Sequence, residues 1–385
     1  MTPTDTASGP RGRIGAIDAL RGLVMLLMVV DHVREFFYLH AQVGDPMNLA
    51  VTPPGLALTR MSSHLCAPVF ILLAGLSANL YAQKNGRRAA CTFLLTRGLL
   101  LIVLELTLVN LAWTRSLFPP VLYLQVIWAI GISMVALAAL LWLPRPALAA
   151  LALVVMLGHN GLDGVVLAPG QGGYVPWTIL HQRGLIALPW GGARTSYPVL
   201  PWIGVVAAGY ALGPLFAPGV GVGERRRRLL ALGAASLAAF LVLRGLAGYG
   251  DPVPWQAGKT WDASALWFVN LTKYPPSACF LLLTLGAGLL LLAVLEALPQ
   301  DRLGWLRVFG GAPLFFYVAH LWLLRVLHDG ALGLGLASPA SGRVELGSPA
   351  QIWLVTALLC LPLHAACRWM VGVKRRSRSA VLRYL

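Results

Sequence analysis

Charge is what this chain has least of. Asp, Glu, Lys and Arg make up 11% of its 385 residues, against about 25% in a soluble domain. Acidic residues are scarcer still, with fourteen in the whole chain, and no carboxylate-rich metal motif stands among them. The five cysteines (Cys66, Cys91, Cys279, Cys360 and Cys367) are an odd set with no C-x-x-C pair. Neither a disulfide framework nor a zinc site is therefore expected, and the expected metal set is none. Walker A, Rossmann and H-E-x-x-H patterns are absent, as is the G-x-S-x-G elbow of α/β-hydrolases. Internal repeats are missing too, and a transporter built of two similar halves would be expected to show them.

What fills the sequence instead is apolar: 58% of residues are hydrophobic. That excludes disorder, a small secreted scaffold and a coiled coil. The formal charge of +16 comes from short Lys/Arg clusters between apolar runs, the pattern of membrane topology and not of nucleic-acid binding. The expected fold class is all-α, a polytopic integral membrane bundle of about ten spanning helices. The runs are 14–38, 61–82, 89–113, 121–143, 147–167, 199–216, 229–246, 277–298, 309–327 and 352–373. With this set, Lys and Arg fall about twice as often in loops on the side of the N-terminus, which predicts both termini in the cytoplasm. Residues 1–13 then read as a flexible cytoplasmic N-terminus, 14–373 as a single transmembrane domain, and 374–385 as a basic cytoplasmic tail. The first run is followed by Asp31-His32 and not by a small-residue cleavage site, so it reads as an uncleaved span.

An ionisable side chain at the centre of a membrane helix costs about 2.5–3.5 kcal/mol on insertion scales, so each one is a candidate for function. The first run carries several. At 100° per residue Asp18, Arg21, Met25, Met28 and His32 share one stripe, and Asp18 and His32 lie about 21 Å apart along the axis. Such a stripe must face protein or water. Asp18 and Arg21 also have the spacing of a structural i,i+3 ion pair at an interface. Asp31 and His32, followed by Arg34 and Glu35, read as a catalytic or ligand-binding group near the outer end. His64, ahead of Cys66 and Pro68 at the start of the second run, and His40 share that depth. Glu105 and His320 are further intramembrane ionisable residues; structural pairing and function are both open for them. His159, His181 and His328 read as loop or interface residues.

These residues carry a resemblance. RIGAIDALRGLVMLLMVVDH resembles the opening helix of the transmembrane acyltransferase superfamily, in which an acid, L/F-R-G and an apolar helix lead to a polar catalytic residue about eleven positions after the Arg. From Arg21 that position is His32. A similarity extends to the bacterial group related to heparan-alpha-glucosaminide N-acetyltransferase. It is carried by D-H-V-R after the first helix, H-x-C-A-P-V-F-x-x-L-A-G at His64–Gly75, Tyr197–Gly213, KYPPS at Lys273–Ser277, and Val308–Leu324. Together these extend roughly from Arg13 to Val371.

The resemblance implies an acyltransferase-like domain. It would move an acyl group, with acetyl expected, from cytosolic acyl-CoA to a hydroxyl or amine of an extracytoplasmic acceptor, a sugar or glycan. Acetyl-CoA or another acyl-CoA is the co-substrate, lipids surround the protein, no nucleic acid is involved, and oligomerisation stays open. The bacterial inner membrane is the expected location. The heparan enzyme carries its catalytic His in the outer loop, so either His32 or His40 answers to that role. The lack of a large extracytoplasmic domain argues against heparan itself as acceptor.

Acyl transfer needs a base for the nucleophile's proton and donors for the developing oxyanion. His32, oriented by Asp31, suits the base, with His64 or Arg34 polarising the thioester carbonyl. Asp18 and Arg21 would orient the donor at the cytoplasmic mouth. Direct transfer is favoured over a route through Cys66. The competing functions are a proton-coupled permease using Asp31, Glu105 and His320, and an inactive protein of the same fold.

Overall fold

A helix that carries Asp18, Arg21, Asp31, Arg34 and Glu35 cannot lie against lipid, and the chain resolves this by placing it at the centre. In the computed structural model, which describes residues 14–38, 47–339 and 341–377, α1 (Gly15–Phe37) is buried along most of its length. The expected N-terminal segment 1–13, the end of the tail and His40 lie outside the described residues.

The helices that follow are α2 (Pro54–Ser62), α3 (Cys66–Asn85), α4 (Arg87–Leu104), α5 (Asn110–Thr114), α6 (Val126–Leu140), α7 (Arg145–Gly158), α8 (Tyr174–Leu180) and α9 (Leu200–Leu212). The second half adds α10 (Val222–Leu246), α11 (Trp261–Val269), α12 (Ala278–Ala297), α13 (Gly304–Gly310), α14 (Pro313–Gly333) and α15 (Pro349–Arg376). α1 packs against α3, α12, α13, α14 and α15, while α10 pairs with α12, α7 and α3 with α9, and α4 with α6.

The outer helix faces are inverted relative to a soluble protein. Leu95, Leu99 and Val103 on α4 and Leu354, Leu358 and Leu361 on α15 recur at helical spacing and are exposed, the surface that hydrocarbon would cover. Among the described residues six helices are long and apolar enough to cross a bilayer, and α13 with α14 forms a further bent candidate. α6 and the stretch Leu200–Phe216 are apolar but shorter. The chain is a helical membrane protein.

Three local features depart from the expected runs. The run 121–143 begins as a strand, β1 (Val121–Leu124), which pairs in parallel with β3 (Gly191–Thr195); β3 in turn pairs antiparallel with β2 (Gly184–Leu188). A short apolar run cannot be told from a helical one by periodicity, and here the extended Gln125 separates it from α6. The run 309–327 breaks at Ala312. Pro313 disfavours helical backbone in the residue before it, Ala312 sits at φ −138°, ψ 57°, and α13 meets α14 at 84°. Finally, Glu105 lies in a π-helical turn, Glu105–Val109. Its Oε2 accepts the backbone N–H groups of Ile127 and Trp128, each at 3.1 Å. The carboxyl group thus caps the N-terminus of α6 and satisfies two of its orphan donors.

Close helix approach depends on glycine where α1 crosses α13 and where α3 crosses α9. A Cβ on Gly22 of α1 would overlap the Leu306 carbonyl of α13, and one on Gly75 of α3 would overlap the Val206 carbonyl of α9. Bare backbone on backbone is how membrane helices gain van der Waals contact when lipid is as apolar as leucine.

Candidate active site

Both ends of the polar stripe on α1 open onto one cavity of about 850 Å³, within the range of small-molecule sites. Its wall includes Asp18 and Arg21 from the start of α1 and Asp31 and His32 from its end. α3 and the 3₁₀ turn before it, Ser63–Leu65, run alongside, bringing Ser63 and Cys66 to the His32 end and Lys84 to the Arg21 end. Between the two ends the wall is largely apolar, with Phe70, Leu101, Ile130, Met134 and Leu314.

The Arg21 end is cationic. Arg97, Lys84, Lys374 and Arg375 join Arg21 there, and among the described residues Asp18 is the one acid on the wall at that end. Arg21 is held in place: Nη1 donates to Asp18 Oδ1 at 2.7 Å and to the Gly310 carbonyl at 3.2 Å, and Nη2 to Ser77 Oγ at 3.0 Å. The expected i,i+3 ion pair therefore exists, as part of the cavity wall. Three helices fix the guanidinium where a ligand would meet it.

At the other end the ring of His32 is placed by α14. His320 Nδ1 lies 2.9 Å from the Phe316 carbonyl, which can only accept. His320 Nδ1 therefore carries the proton and its Nε2 offers a lone pair. That Nε2 stands 2.7 Å from His32 Nδ1, so His32 donates through Nδ1. The proton-accepting nitrogen of His32 is then Nε2. The ring also stands edge-on to Trp113 at 5.4 Å and to Tyr317 at 6.3 Å.

Asp31 faces elsewhere than His32. One oxygen accepts from Arg34 Nε at 3.0 Å and the other from Arg60 Nη1. Arg34 is buried, pairs also with Glu35 at 3.2 Å and does not line the cavity. His64 is buried edge-on to Phe280 at 5.3 Å, off the cavity wall. Cys66 reaches the wall, but its thiol donates to the Val24 carbonyl at 3.1 Å. Of the expected site residues, the cavity brings together Asp18, Arg21, Asp31 and His32; Arg34 and His64 stand behind it.

Sequence reasoning passed over Lys273, Arg60 and Arg97 as site residues, counting the first two as loop cations. Lys273 lines the cavity, lies 5.3 Å over the Tyr274 ring, and is brought there by a braced loop. Arg244, buried on α10, donates to the carbonyls of Val253, Trp267, Phe268 and Asn270. Asp251 accepts from Thr272 N at 3.0 Å and from Ser277 Oγ at 2.6 Å. These two side chains satisfy backbone that would otherwise be stranded. Tyr197 and Tyr274 share a hydrogen bond at 3.1 Å. Burial pushes the Tyr197 phenol well above its ordinary range. Burial acts the same way on Tyr274, but Lys273, Arg60 and the bond to Tyr197 outweigh it and hold that phenol lower.

A second cavity of about 240 Å³ is lined by Glu35, Phe36, Trp113, Arg115, Arg325 and His328. Trp113 belongs to both neighbourhoods, against His32 and on this second wall.

The chain is thus a helical membrane protein whose internal cavity joins a cationic mouth to an oriented histidine. Residues 13–246 match the family model described as heparan-alpha-glucosaminide N-acetyltransferase, catalytic. That is more than half of the chain, and the chain belongs to this family, an acetyltransferase type of enzyme. No curated protein matches it. The matched segment contains His32, Arg21 and Arg97, while Lys273, His320 and Lys374 lie beyond it.

Proposed function

We propose that the protein transfers an acyl group, acetyl first, from acyl-CoA entering at the cationic mouth to a hydroxyl or amine presented at the His32 end. The observation that carries this reading is the single cavity joining Arg21, Arg97, Lys84 and Arg375 to His32. Guanidinium and ammonium groups match the phosphates of a CoA nucleotide. The apolar middle suits the pantetheine arm, and Arg21 and His32 stand about 16.5 Å apart along the axis of α1.

In the proposed reaction the acceptor O–H or N–H gives its proton to His32 Nε2 as its heteroatom bonds to the thioester carbonyl carbon. The C–S bond then breaks, and the CoA thiolate takes the proton back from His32. His320 holds the tautomer. Lys273, the cation on the cavity wall at this end, would stabilise the oxyanion, the role first expected of His64 or Arg34. The engaged thiol of Cys66 supports direct transfer. An acceptor of the sugar or polyol class fits the cavity beyond Trp113, where an aromatic face lies among charged hydrogen-bonding groups. His40 remains the alternative base.

The topology belongs to the same proposal: ten spans formed by α1, α3, α4 with α5, α6, α7, α9, α10, α12, α14 and α15, with residues 14–373 as one domain and both termini cytoplasmic. The cell membrane, the bacterial inner membrane, is the proposed location. Reporter fusions at Gly86 and Lys259 should face opposite sides, and finding both on one side would refute the topology. The functional reading is tested in proteoliposomes given labelled acetyl-CoA on the cationic-mouth side and mixed sugars on the other. Label should appear on the acceptor; movement of intact acetyl-CoA or acceptor without transfer would favour a permease.

A further inference from the structure

Away from the cavity, three side chains from one turn and one helix end converge at the end of α7. His159 opens a 3₁₀ turn, His159–Leu162, that continues α7; Asp163 follows it, and His181 lies just past α8. His159 Nδ1 is 3.4 Å from His181 Nε2, and His181 Nε2 is 3.6 Å from Asp163 Oδ1. One ligand atom from each of the three lies within 4.8 Å of the others. Two nitrogens bound to tetrahedral zinc at about 2.0–2.1 Å stand about 3.3–3.4 Å apart; the His159–His181 spacing of 3.4 Å already matches this, and the carboxylate must move closer to complete the shell.

We infer that His159 Nδ1, His181 Nε2 and an Asp163 oxygen form a divalent transition-metal site, with Zn²⁺ as its first-choice ion and one coordination position left open. The donor set, two imidazoles and a carboxylate, suits a borderline ion better than Mg²⁺ or Ca²⁺, which take oxygen. Both histidines are buried, at 2% exposure each.

The surroundings support ligation. Metal-binding side chains are commonly held by outer hydrogen bonds that fix their orientation. Asp163 Oδ2 accepts from Asn160 Nδ2 at 2.8 Å, and Asn160 Oδ1 accepts from the Ala278 N–H at 2.8 Å. The carboxylate is thereby tied to the start of α12. Trp177 stacks on the His181 ring at 5.0 Å with planes 19° apart. Without metal, His181 Nε2 donates to the His159 carbonyl at 2.9 Å. Binding requires that proton to move to Nδ1, so the imidazole stays neutral and Nε2 offers its lone pair. A bound ion would then clamp α7, α8 and, through Asn160, α12 at the end of the bundle that carries Lys273.

The test is metal binding by the whole protein in detergent, purified without a polyhistidine tag, stripped with chelator and dialysed against Zn²⁺. Wild type should retain one equivalent per chain, and Co²⁺ in its place should show the visible bands of a tetrahedral ion. His159→Ala/His181→Ala should lose both, and Asn160→Ala should weaken Zn²⁺ affinity about 10–100-fold. If the double variant does not fold, Asp163→Asn carries the test through loss of the Co²⁺ bands. Wild type retaining no more Zn²⁺ than the double variant, or Asp163→Asn keeping the bands, would overturn the site and leave a hydrogen-bonded histidine pair. The readout does not depend on acetyl transfer.

Discussion

His32 and His320 lie 288 positions apart in the chain and share one hydrogen bond of 2.7 Å, with ring planes 4° from parallel. The bond from His320 to the Phe316 carbonyl decides which nitrogen of each ring carries a proton. The pair does for His32 what a carboxylate does for the histidine of a hydrolase triad, namely fix the tautomer. It does so without adding a charge to the bilayer interior.

In the proposed reaction His320 is a positioning residue. His320→Phe should lower kcat about 10²-fold, the cost of misplacing a catalytic group, while KM for acyl-CoA changes little. His320→Gln keeps a side-chain acceptor and should recover part of the rate. Equal losses in both variants, together with a fall in thermal stability, would make His320 a packing residue only.

The cationic mouth makes a separate prediction about the donor. Removing one charged hydrogen bond costs about 1.5–3 kcal/mol, or about ten- to hundredfold in Kd. Arg97→Ala and Arg375→Ala should each weaken acetyl-CoA binding in that range, and wild-type affinity should fall with added salt because exposed charges are screened. Titration of detergent-solubilised protein measures both; unchanged affinity in both variants would place the donor elsewhere.

Lys273 should behave differently from the mouth. Lys273→Met keeps the apolar stem and loses the ammonium, so kcat should fall about 10²–10³-fold, as when an oxyanion donor is removed. Donor Kd should stay within a few-fold. A variant that loses donor binding and keeps single-turnover chemistry would reverse that assignment.

How much of this was legible beforehand follows from distance along the chain. The stripe from Asp18 to His32 lies on one helix, so periodicity alone finds it, and helix α1 is buried as that stripe requires. The apolar runs likewise have counterparts among the helices. What periodicity cannot supply is the partner brought from elsewhere. His32 next to Asp31 suggested a carboxylate-oriented base, yet Arg34 and Arg60 take that carboxylate and His320 takes the ring. Lys273 was hidden for the same reason: only Arg244 and Asp251, some distance away in sequence, turn a loop cation into a cavity residue. His159, Asp163 and His181 are unremarkable singly and meet only because the turn after α7 folds back on α8. Glu105 read equally well as a relay group or as a structural partner until α6 arrived with two backbone donors.

The central claim is that His32 is the base. A well-placed general base contributes about 10²–10⁴ in rate, so the most direct measurement compares single-turnover acetyl transfer in His32→Ala and His40→Ala, with acetyl-CoA affinity measured on the same preparations. The account predicts that His32→Ala loses transfer by that order and also loses the ascending limb of the pH–rate profile, while binding acetyl-CoA nearly as wild type does. His40→Ala should stay within a few-fold of wild type. Near wild-type transfer in His32→Ala, with transfer abolished in His40→Ala, would contradict it and move the chemistry to the loop after α1.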